Sequence, residues 1–115
     1  MKWERIQHSH GATFQEIYEL RSDRIPRVAD MVLYPSTTVH CETIVQLANK
    51  HNVVLVPYGG GTNVTMSLKL PVTEKRMIVS VDMTRMRAIK WVDKENNMAC
   101  VQAGIAGQDL ERELK

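Results

Sequence analysis

Apolar positions along the chain recur first with helical and then with strand spacing. From Thr13 to Leu20, Phe14, Ile17, Tyr18 and Leu20 share one face of a short helix, which Ser22 to Pro26 breaks. Ala29 to Tyr34 alternates loosely in strand formers, and Pro35 forces an extended approach at Tyr34. Ser36, Thr37 and Thr38 then offer N-cap hydroxyls, and Glu42 suits the positive end of a helix. Cys41, Ile44, Val45, Leu47 and Ala48 form a helical stripe, predicting a helix from Thr38 to about His51. Val53 to Val56 is an unbroken apolar run, as expected of a parallel strand covered on both faces. These segments make a βαβ unit. Met77 to Val81, Ala88 to Val92 and Met98 to Ala103 predict three more strands, with Asp93 to Asn97 closing the last two into an antiparallel hairpin. From Gly107, Leu110 and Leu114 begin a helical face. The order implies an α+β fold: an α/β subdomain with a βαβ unit plus a small mixed sheet.

Charge narrows the class. The 15 basic and 13 acidic residues are scattered, giving a net charge of +2 with no like-charged block for nucleic acid. No apolar run reaches the roughly 20 residues of a membrane span, and the first residues lack the apolar core of a secretory signal. Cys41 and Cys100 lie inside regular segments and read as buried free thiols. The final helical pattern runs to Lys115 without a stop signal, which reads as a cut, and Met1 reads as an internal methionine. A fragment of a longer protein is the expectation.

The chemistry concentrates in Pro57-Tyr58-Gly59-Gly60-Gly61-Thr62-Asn63, which follows directly on a strand. Consecutive glycines let the backbone take positive φ angles, turn amides inward as an anion nest, and approach a pyrophosphate closely. Thr62 and Asn63 add side-chain donors at the far end. No Lys-Ser or Lys-Thr follows Gly61, and the pattern is not GxGxxG opening a helix, which disfavours both common phosphate motifs. On the tripeptide alone a tight turn is the simpler explanation. The flanking strand, proline and polar side chains favour a nucleotide site.

The run from Val54 to Val64, then Ile78 to Met86 and Val101 to Ile105, resembles the PCMH-type FAD-binding domain of the vanillyl-alcohol-oxidase-type flavoproteins. Within that family, His10 to Arg21, Arg24 to Pro26, Trp91 to Asp93 and Gly104 to Arg112 are similar to the alkyldihydroxyacetonephosphate synthases. One departure, Arg27-Val28-Ala29 before Asp30, is expected on a surface turn. The resemblance implies that residues 1–27 are a lead-in helix and turn, and residues 28–115 the first part of the cofactor domain. It implies non-covalent FAD held by Pro57, Tyr58, Gly59, Gly60, Gly61, Thr62 and Asn63. The parent enzyme would exchange the acyl group of acyldihydroxyacetone phosphate for a fatty alcohol, with FAD as an electron sink and no net redox change. A peroxisomal address is implied too, with room for peripheral membrane association and a homodimer. The catalytic groups would lie beyond this chain. An FAD-linked oxidase or 2-hydroxy-acid dehydrogenase, or a truncated binding module, stay open as alternatives.

Other residues attract less. Asp82 ends a strand, where an Asp is more often a turn former than a ligand. His8, His10, His40 and His51 lack the acidic or thiol partners of a metal site, and the last two suit a helix surface. Tyr58 enters for its backbone, since its ring fills a sheet edge as readily as it meets a cofactor. Met77, Met83, Met86 and Met98 read as core filling.

Overall fold

A computed structural model describes residues 2–115. Two short helices lead in, α1 (Lys2–Gln7) and α2 (Phe14–Arg21). Thr13 caps α2 and Glu16 closes a reciprocal capping box. The βαβ unit follows: β1 (Met31–Leu33), α3 (Thr38–His51) and β2 (Val54–Tyr58). Thr37 is the residue that caps α3, accepting from the His40 amide, and Asn52 ends it in the left-handed region at φ 53°. Glu42 falls beyond the first turn, so the expected dipole contact is not made there. β3 (Ile78–Asp82) leads through a 3₁₀ turn (Met83–Arg85) to the hairpin of β4 (Ile89–Asp93) and β5 (Met98–Val101), and α4 (Gly107–Leu114) comes last.

The α+β class holds, but the strands do not form one mixed sheet. β1, β3 and β2 make a wholly parallel sheet in that order, and β4 and β5 pair separately as an antiparallel ladder. The strand covered on both faces is therefore β3, buried at all five positions, while β2 is an edge strand. Periodicity within one strand does not reveal which strand takes the middle place. On one face Ile78 packs with Ala29 and Leu70, flanked by Val54 and Val56. Burying the Ile78 side chain contributes about 2 kcal/mol. The other face meets α3, of which only Ala48 is fully buried, with Val45 and Leu47 about half exposed.

Four further expectations change. β1 is only three residues long, although the Asp30 amide just ahead of it already donates to the Ile78 carbonyl of β3 at 2.8 Å. The Ala29 amide donates to Ser9 Oγ at 2.8 Å, and Asp30 Oδ2 accepts from the Ile78 amide at 2.8 Å and from Arg27 at 2.6 Å. Arg27 to Asp30 thus belongs to the core frame and not to a surface turn. The two cysteines are free but half-buried. Of the four methionines assigned to the core only Met86 is buried, and Met77 and Met98 are open to solvent.

Candidate cofactor site

β2 runs one turn of the ladder further than its apolar run, so Pro57 and Tyr58 are its last two residues. Pro57 faces outward on the edge strand, where its missing N–H breaks no central ladder. Of the three glycines that follow, only Gly61 has positive φ, at 68°, which corrects the expectation of a run of such angles. Gly61 turns so tightly that a β-carbon there would overlap the Tyr58 hydroxyl. Gly59 and Gly60 have no such reason to be glycine. A β-carbon at Gly59 would meet nothing within 4 Å, and one at Gly60 only Thr62 Cγ2 at 3.7 Å. Among the described residues, no amide from 59 to 62 donates to another group of the chain.

Pro57, Gly59, Gly60, Gly61, Thr62 and Asn63 gather around one cleft of about 230 Å³, joined by Ser67 and Leu68. Ser67 was not foreseen, since nothing local in the sequence brings it back over the loop. Tyr58 points away, as strand alternation requires. Asn63 is less free than expected. Its carbonyl accepts from the Ala12 amide at 2.9 Å and its Oδ1 from the Ser67 amide at 3.2 Å. Chemically, bare amides beside two glycines that the fold does not itself require form a cradle for an anion at the carboxyl end of a parallel strand. The donor set fits a pyrophosphate.

Behind the cradle lies a buried polar column that sequence reading missed. His8, 4% exposed, contacts Asp82 Oδ2 through Nε2 at 2.7 Å and the Glu4 carbonyl through Nδ1 at 2.8 Å. Its ring lies 4.2 Å from that of Tyr58 and edge-on to Tyr34 at 6.0 Å. Asp82 also caps the 3₁₀ turn through Thr84, so its role is the structural one assigned to it, with His8 as an added partner. Burial pushes the Asp82 carboxyl up, and hydrogen bonds from His8 and Thr84 more than offset this, leaving it below its ordinary value. Tyr34 donates to Glu4 at 2.7 Å, and burial together with that bond pushes its hydroxyl up to about 12. His10 turns elsewhere, to the Gly11 carbonyl, while His40 and His51 are exposed. Among the described residues no group of three metal-ligating side chains converges.

A family model described as an FAD binding domain matches residues 29–115. The chain belongs to the FAD-binding domain family. Its cofactor is FAD. The alkyldihydroxyacetonephosphate synthase of Caenorhabditis elegans is 43% identical over 110 residues, covering 96% of this chain and 18% of that protein. The enzyme of the same name from Dictyostelium discoideum is 38% identical over 113 residues, covering 98% of this chain and 18% of its own length. A solved structure of an alkyldihydroxyacetonephosphate synthase superposes with a TM-score of 0.90 at 38% identity, covering 99% of this chain and 21% of that one. This FAD-binding domain chain therefore spans less than a fifth of the length of these curated relatives. The matched region holds the cradle, Asp82 and the hairpin, whereas His8 and Ala12 precede it.

Proposed function

We propose that Pro57, Tyr58, Gly59, Gly60, Gly61, Thr62 and Asn63 hold the FAD pyrophosphate, and that the chain is the cofactor-binding part of an alkyldihydroxyacetonephosphate synthase. The observation that carries the site is the row of bare amides from 59 to 62, beside two glycines whose missing side chains leave open space. In this reading the amides of residues 59–62 neutralise the diphosphate, Gly59 and Gly60 admit it closely, and Tyr58 supports the loop from behind. Residues 1–27 brace the domain that begins at residue 28. Bound FAD supplies the electron-sink chemistry of the parent enzyme, and this chain binds and orients it.

The parent reaction is exchange of the acyl group of acyldihydroxyacetone phosphate for a fatty alcohol in ether-lipid synthesis, supported by relatives at 38–43% identity that carry that enzyme's name. They do not favour an oxidase or 2-hydroxy-acid dehydrogenase. A peroxisomal setting, a homodimer and peripheral membrane contact belong to the same reading. The test of the site is titration with FAD and with ADP. Gly60→Val projects a branched side chain into the cleft and should weaken both by about tenfold or more, ~1.4 kcal/mol, with the melting midpoint little changed. Equal affinity for wild type and variant would remove the loop from the site.

A further inference from the structure

The family match begins at residue 29, yet the contacts that shape the cofactor loop come from residues 8–12, ahead of it. At the entry to the loop, Gly61 closes against the Tyr58 hydroxyl, and the Tyr58 ring rests on His8 at 4.2 Å. His8 is in turn fixed from two sides, by Asp82 and by the Glu4 carbonyl. At the exit, the Ala12 amide holds the Asn63 carbonyl at 2.9 Å, and Gly11 lies so close that a β-carbon would come 2.7 Å from that oxygen. Both ends of the loop are gripped by one short stretch of lead-in chain. None of those lead-in residues lines the cleft.

We infer that the stretch from His8 to Ala12 is a clamp that sets the shape of the cradle, with His8 a positioning residue acting through Tyr58 on Gly61. FAD affinity then depends on residues outside the matched domain. The physical reason is preorganisation. A glycine loop has more freedom to lose than any other, and amides that bond to nothing in the chain cannot hold its shape themselves. Ordering supplied in advance by the clamp is ordering that binding need not supply. The inference rests on the loop holding the pyrophosphate, and the experiment separates the two.

FAD and ADP are titrated into the whole chain, alongside His8→Ala, His8→Gln, Gly60→Val and the core variant Ile78→Val, at a temperature where circular dichroism shows each folded. His8→Ala removes both hydrogen bonds and the ring beneath Tyr58, and should raise Kd about tenfold. His8→Gln keeps an N–H for Asp82 and should recover part of the loss. Ile78→Val should lower the melting midpoint and leave Kd within about twofold, which a merely structural role for His8 would mirror. Loss of binding in Gly60→Val with wild-type Kd in His8→Ala would overturn the clamp and leave the loop assignment standing. Wild-type Kd in Gly60→Val, or no binding by the folded wild-type chain, would overturn both. Should His8→Ala not fold, Tyr58→Phe decides, because it keeps the ring on His8 and removes only the hydroxyl against Gly61. A rise in Kd of about threefold supports the clamp, and an unchanged Kd overturns it.

Discussion

Glu16 should be among the most sensitive polar positions in the chain. It is 1% exposed, and both its oxygens are in use. Oε1 accepts from the Gly11 amide at 2.8 Å, while Oε2 accepts from the Thr13 amide at 3.2 Å and the Thr13 hydroxyl at 2.7 Å. Glu16→Ala removes the carboxylate half of the capping box while Thr13 still caps the helix, costing about 1 kcal/mol, and strands the buried Gly11 amide, costing ~1–3 kcal/mol more. The sum of about 2–4 kcal/mol is a large part of the ~5–15 kcal/mol of a typical domain. At ~4–8 °C per kcal/mol for a domain near this size, the melting midpoint should fall by roughly 8–32 °C. Glu16→Gln keeps one acceptor and should lose about half as much. Burial pushes the Glu16 carboxyl up, but hydrogen bonds from Thr13 and Gly11 pull it further down, to below its ordinary value of 4.5. A depressed folded pKa gives stability that is complete above about pH 4.5 and is lost as the pH falls through the folded value. Wild type should therefore converge on Glu16→Gln in acid. Thermal melts at pH 7 and at progressively lower pH test both points. A Glu16→Ala midpoint within ~2 °C of wild type would refute the reasoning.

Two glycine substitutions separate fold from site. Gly104→Ala drives a β-carbon into the Met83 carbonyl, and because backbone cannot swing aside the loss should be about 3 kcal/mol, read by denaturant unfolding. Gly59→Ala meets nothing within 4 Å and should leave stability within ~0.5 kcal/mol while weakening FAD in the same titration used for Gly60→Val.

The local elements were legible in the sequence because their signals are local. The apolar stripe of α3 and the threonine cap at its start belong to one continuous short segment, and the helix runs over the expected Thr38–His51. The polar turn between β4 and β5 and the glycine run after β2 are equally self-contained. Tertiary structure decided what depends on residues far apart in the chain. It put β3 at the centre of a parallel sheet, turned Tyr58 away from the cleft, and gave positive φ to only Gly61 of the three loop glycines. It also formed α1 over residues with no predicted element of their own, and joined His8 to Asp82 across 74 positions. The physical reason is that periodicity, capping and turn chemistry are settled by neighbours in sequence. A buried hydrogen bond is settled by which polar groups the packed layers leave without water.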